Sequence, residues 1–162
     1  MSALLLRTQT VIDECELFLD NHNGFGSPVE SYLVQHGLVV LCADVQQEIY
    51  KLVQERAEKL PDTQISSFVY ATSKRVLRSV RKDELATFVE FFGKTEKEKF
   101  NSLLDDCDVT RYNNAVSNRH DVAHKTGVQI TFGELKLAKT AACKLLEAVT
   151  NAIQPPIVAG SS

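Results

Sequence analysis

A chain of 162 residues with 44% apolar and 24% charged side chains has the size and make-up of one globular domain with its own core. Seven Gly, four Pro and no Trp argue against a loop-rich or all-β fold. A formal net charge of −3 excludes a broadly basic nucleic-acid binder, so contact with a polyanion has to rest on a local surface.

Residues 4–22 form the first predicted helix, with Leu4, Val11, Cys15 and Phe18 at helical spacing. The glycines of Asn21 to Gly26 end it. Ser27 is placed to cap a second helix, with Pro28 at its first position and Glu30 closing a capping box. A stripe of Leu38, Leu41, Val45, Ile49 and Leu52 carries that helix towards Lys59, and Pro61 stops it. Asp62 or Thr63 starts a third helix, whose expected inner face is Ile65, Phe68 or Val69, Thr72, Val76 and Val80. Its far end is basic, through Lys74, Arg75, Arg78, Arg81 and Lys82. A solvated helix end is the plainer account of that run; it is also the best patch for a polyanion.

Asp83 to Phe92 reads as a short helix ended by Gly93. Thr95 and Glu98 spell a capping box for the next, which runs to about Asp106. Asp108 to Lys125 is helical but polar, with Ala115, Val116, Val122 and Ala123 as its few core positions, so it faces solvent or lines a cleft. After Gly127 and a short extended link, Thr131 and Glu134 form a capping box for the last helix. Leu135, Ala138, Ala142, Leu145 and Val149 are its inner face, and Pro155-Pro156 follows it. The expected architecture is one all-α domain over residues 1–154, an antiparallel bundle of about five to seven helices, with a flexible tail over 155–162.

Cys15, Cys42, Cys107 and Cys143 lie far apart without a C-x-x-C pair, which points to free thiols in a reducing compartment. The apolar run from Ala3 to Leu6 is too short for a signal sequence, and no stretch reaches the ~18 apolar residues of a membrane span. The expected location is the cytoplasm.

The densest group of titratable and cationic side chains is Asn114 to Thr126, NAVSNRHDVAHKT. Arg119 offers a permanent charge with a planar fork of donors suited to phosphate, and His124 can give or take a proton near neutral pH. Together they are the minimum for phosphodiester chemistry without a metal. Five residues turn through about 500°, ~140° net, so the two do not lie on one line of a helix. His120 and His124, four apart, do share a face, which raises a zinc reading, but no H-E-x-x-H accompanies them. The plainer account pairs Arg119 with Asp105, Asp106, Asp121 or Glu134 and leaves His124 as a helix-end residue. On residue type and spacing alone that account is favoured.

The segment N-R-H-D-V-A-H, Asn118 to His124, resembles the R-x4-6-H motif of the HEPN superfamily of small helical bundles. His120 fills the place after the arginine where that family often carries Asn, His or Asp. The Val122-Ala123 step and the turn into a capped final helix also look like the family pattern. The long second helix, with Val39-Val40-Leu41 and Glu48, is similar to the branch called RiboL-PSP-HEPN.

The resemblance implies a metal-independent ribonuclease, or a relative of one, that needs no cofactor. Such domains usually dimerise, setting two R-x4-H helices against each other around one cleft. His124 would exchange protons with the RNA, Arg119 would hold the scissile phosphate, and His120 would orient His124 or touch phosphate. Asn118 and Asp121 would support them, and Arg78, Arg81 and Lys82 would meet the RNA backbone. A toxin or antiviral-defence role with an antitoxin or defence-system partner fits this family. Thr126 stands two residues after the histidine, where paired toxins commonly carry a modifiable tyrosine, which puts that mode of control in doubt. The competing readings are a non-catalytic module that dimerises or binds a partner or nucleotide through the same groove, and a structural adaptor.

Overall fold

The computed structural model describes residues 4–121 and 130–154, with backbone alone for 120 and 121. Among the described residues it is all-α: α1 (Leu6–Asn21), α2 (Pro28–Ala57), α3 (Thr63–Val76), α4 (Lys82–Glu90), α5 (Lys94–Ser102), α6 (Asp106–Asp121) and α7 (Phe132–Ile153).

Helices α2 and α7 are the centre of the bundle. α2 packs against α1, α3, α6 and α7, and α7 also packs against α4, α5 and α6. The predicted stripes are what they bury: Leu38, Leu41, Val45 and Ile49 on α2, and Leu135, Ala138, Ala142, Leu145 and Val149 on α7. Each fully buried Leu, Ile or Val there contributes about 1.5–3 kcal/mol. Gly37 lets the two helices meet closely, since a methyl group at that position would stand 2.5 Å from Leu135 Cδ2. At the other side of α2, buried Asp44 ties down α1. It accepts from the Thr8 N–H at 2.7 Å and hydroxyl at 2.6 Å and pairs with Arg7 Nε at 3.0 Å.

The helix ends divide into those set by local sequence and those set by tertiary partners. Thr131 and Glu134 make the full capping box of α7, and Asp62 caps α3 through the N–H groups of Gln64 and Ile65. The expected box at Ser27 does not form. Glu30 instead accepts from the Gly26 N–H at 2.6 Å and, across the bundle, from the Phe132 N–H at 2.9 Å. The Thr95–Glu98 box is also absent, because Gly93 at φ 145° starts α5 before Thr95. That helix ends at Ser102, short of Asp106.

The third helix is shorter than expected. It ends at Val76, and Leu77 and Val80 enter the core from the extended connection to α4. Ile65, expected inside, is exposed, and of the alternatives Phe68 or Val69 it is Val69 that packs on the core while Phe68 is exposed, because α3 packs one side on α2. Of the four free thiols, Cys15 and Cys42 are buried, Cys143 is half-buried and Cys107 is exposed. Among the described residues no helix is long and apolar enough to cross a membrane.

Candidate functional site

Helix α6 starts on Asp105, whose side chain accepts from the Cys107 N–H at 2.9 Å and the Asp108 N–H at 3.3 Å. Its core stripe is Tyr112, Ala115 and Val116, all buried. Tyr112 was not among the expected core positions. Its phenol is buried because it donates to the Val80 carbonyl at 2.6 Å, which satisfies the one polar group on an otherwise apolar ring. Arg119 continues this stripe, three and four residues on from Val116 and Ala115. There the helix leaves the core, and Arg119 is exposed.

Arg119 faces α2. Beneath it lies the buried thiol of Cys42. Burial pushes that thiol up from its ordinary range, while a hydrogen bond from Arg119 and its charge pull the other way without reversing the shift. The thiol therefore stays neutral and serves as a contact for the guanidinium. Above it, Arg119 borders a cavity of about 280 Å³ whose other walls are Tyr32, Gln35, His36 and Val39 of α2. A cation, an imidazole, a phenol and an amide thus surround one opening, a set suited to an oxyanion and its protons.

The adjacent face of α6, about 100° round the helix at Asn118, borders a second cavity. Arg111, Asn114 and Asn118 line a cavity of about 460 Å³ against Glu134 and Leu137 of α7. The Asn118 amide donates to the Asn114 carbonyl at 2.9 Å. Asn118 and Arg119 are therefore brought together as neighbours that look into two cavities flanking the last turn of α6.

The basic turn lies along α6 from Arg119. Lys82 is held against α6 through its N–H, which donates to Asn113 Oδ1 at 3.1 Å, and Val80 accepts from Tyr112. These anchors sit about 10 Å along the helix axis from Arg119. Arg81 pairs with Asp83 at 3.3 Å and Lys82 Nζ donates to Asn101 at 2.7 Å, while Arg78 is exposed. His124 lies outside the described residues, as do the side chains of His120 and Asp121 and the core positions Val122 and Ala123. Among the described residues no group of three His, Cys, Asp or Glu is placed to hold a metal ion.

Sequence reasoning missed His36, Gln35 and Tyr32. One signal was available: residues 29, 32, 36 and 39 share a face of α2 opposite the apolar stripe, and Val29, Tyr32 and Val39 stand exposed on it.

The family model described as RiboL-PSP-HEPN matches residues 7–154. The chain belongs to that family. The match runs from the first helix to the end of the last, so it takes in the α2 face with His36 as well as the α6 segment with Arg119. Neither a curated protein nor a solved structure matches the chain. The RiboL-PSP-HEPN assignment thus rests on the family model, together with the all-α bundle the chain forms.

Proposed function

We propose that this RiboL-PSP-HEPN protein is a metal-independent endoribonuclease that works in the cytoplasm as a homodimer, in a toxin or antiviral-defence setting. The observation that carries the reading is Arg119 at the rim of a polar cavity shared with His36, Gln35 and Tyr32 of α2. Among the described residues Arg119 rests on the Cys42 thiol and borders a space that an anion can enter.

In the mechanism, Arg119 takes two oxygens of the scissile phosphate in its fork and steadies the charge that develops on them. His124 removes the 2′-hydroxyl proton as the 2′-oxygen bonds to phosphorus. The bond from phosphorus to the 5′-oxygen breaks, and a protonated imidazole, the second protomer's His124 in a dimer, delivers a proton to that oxygen. His120 orients His124, and His36 touches the same phosphate from α2. The products are a 2′,3′-cyclic phosphate and a 5′-hydroxyl, and DNA is inert because it lacks the attacking hydroxyl.

The test is RNA cleavage in EDTA by the wild type, Arg119→Ala and His124→Ala. Losses of ~10²–10⁴-fold are expected in each variant, the range for a transition-state donor or a general acid–base. Cleavage by the wild type that both variants retain would remove these residues from the mechanism. In the host, induction of the wild type is expected to slow growth and His124→Ala to restore it.

A partner-binding module is the second reading. It is favoured by an apolar groove of about 280 Å³ between α2, α3 and α4, where Phe68 and Phe91 are 67% and 70% exposed.

A further inference from the structure

The cavity between α6 and α7 is unassigned by the reaction just described, which uses the neighbouring face of α6. At about 460 Å³ it is large enough for a nucleoside, within the usual range of small-molecule pockets. Its apolar lining comes from Ala115, Ile130 and Leu137. Its polar groups are the majority of the lining and come from two helices: Arg111, Asn114 and Asn118 at helical spacing on α6, and Glu134 at the start of α7. A nucleobase can use such a mixed lining, its rings against Leu137 and Ile130 and its hydrogen-bonding edge on the polar atoms.

The polar groups have defined positions. Glu134 Oε2 accepts from the Thr131 N–H at 2.6 Å and from its hydroxyl at 3.0 Å, so the capping box fixes the carboxylate's orientation at the cavity wall. A carboxylate only accepts, and with Oε2 held by Thr131 it is Oε1, with its two lone pairs, that is left for a ligand's donors. Guanine is the base that presents two adjacent donors on one edge, its ring N–H and its exocyclic amine. Adenine and cytosine present one amine beside a bare ring nitrogen, and uracil presents one N–H between two carbonyls. Arg111 supplies the complementary fork. Its ion pair with Asp108 is long, at 3.8 Å, and the same carboxylate holds Lys144 at 2.7 Å. A guanidinium so placed suits the O6/N7 edge of guanine or a phosphate.

We infer that the α6–α7 cavity is a guanine-selecting pocket, which takes a base of the RNA strand whose neighbouring phosphate lies on Arg119. The inference rests on the ribonuclease reading for the strand's position, but the pocket's preference for guanine has its own readout. Consecutive residues on a helix diverge by about 100°. Asn118 and Arg119 therefore meet a base and a phosphate on the two sides of one turn, and a strand crossing the end of α6 reaches both.

The test uses the full-length protein in two assays. Cut sites are mapped on single-stranded RNAs in which one position is varied through all four bases and inosine, which lacks the exocyclic amine. Binding of 5′-GMP and 5′-AMP is measured by calorimetry. The variants are Glu134→Gln, which keeps a residue able to complete the capping box, and Asn114→Ala. Expected are cuts at a fixed offset from guanine, a tenfold or greater drop on inosine, and tighter binding of GMP than AMP, with the preferences lost in Glu134→Gln. Cleavage without base preference, or an equal preference in Glu134→Gln, overturns the pocket and leaves the ribonuclease standing. GMP selectivity that Glu134→Gln abolishes, in a protein that cleaves no RNA, supports the pocket and removes the ribonuclease. Equal or absent binding of GMP and AMP, with no cleavage, overturns both.

Discussion

Gly37→Ala tests the contact that sets α7 against α2, and through it the placement of Glu134 and the α6–α7 cavity. In an exposed helix interior this change stabilises by about 1 kcal/mol, because alanine is the better helix former. Here the new methyl would stand 2.5 Å from Leu135 Cδ2, more than 1 Å inside an ordinary carbon–carbon contact. Leu135 is 1% exposed, so it has no open space to retreat into. Overpacking of this kind costs about 1–3 kcal/mol, which leaves a net loss of about 0–2 kcal/mol after the propensity gain. For a chain of this length that lowers Tm by up to roughly 4–8 °C. Gly133→Ala is the control, since its methyl would meet only Thr131 Oγ1 at 3.8 Å and should stabilise by about 0.4–1 kcal/mol. Adding Leu135→Ala to Gly37→Ala should cost less than the sum of the two single changes, because the new methyl fills part of the space vacated. Thermal and urea melts read all of these. A Gly37→Ala protein about 1 kcal/mol more stable than wild type, or strict additivity in the double variant, would refute the close approach of α2 and α7 at this point.

Two further outcomes follow from α6. Tyr112→Phe removes the donor to the Val80 carbonyl and should cost about 1–3 kcal/mol at neutral pH in chemical denaturation. Burial holds the Tyr112 proton well above the usual phenol range, so above a pH of about 10 the folded state keeps a proton that the unfolded state releases. Wild-type stability is then full below that pH and falls as pH rises through it, and the gap to Tyr112→Phe should narrow; a constant gap would remove this linkage. RNA binding should depend only weakly on salt: two cations at the α6 cavities, Arg111 and Arg119, give a slope of about −1.4 in log K against log salt for each protomer. A slope of about −3.5 or steeper would show that Arg78, Arg81 and Lys82 of the basic turn join the interface.

The features legible in the sequence are those whose causes are local. Thr131 and Glu134 lie three residues apart and satisfy each other, so their box forms wherever α7 packs. The α2 and α7 stripes follow from helical periodicity alone. Glu30 has the same local pattern, but the Phe132 N–H, 102 residues away, competes for its carboxylate, and only the packing of α2 on α7 reveals that competitor. Tyr112 failed as a core residue for a similar reason: whether a phenol is buried depends on a partner, and its partner is a carbonyl 32 residues earlier. In the candidate site, Arg119 was legible from its motif. His36 was not, because it joins the cavity only through the packing of α2 on α6, and exposed residues on a helix carry no mark of what faces them.

Under the proposed ribonuclease reading, the polarity of α6 has a consequence for how an acidic chain would meet RNA. A helix with so few apolar positions is either solvated or lines clefts, and this one lines a cavity on each side of its last described turns. One stripe, Arg111, Asn114 and Asn118, mixes a cation with amides beside a carboxylate; the other ends in the single cation Arg119. Affinity that came from charge would need many such cations, and the net charge of −3 opposes it. Two cations placed beside hydrogen-bonding groups favour selection over affinity, because a wrong base leaves polar groups unpaired, which is penalised more heavily than a missing ion pair. On this arrangement the chain should ignore most RNA and act on strands that fill both cavities together.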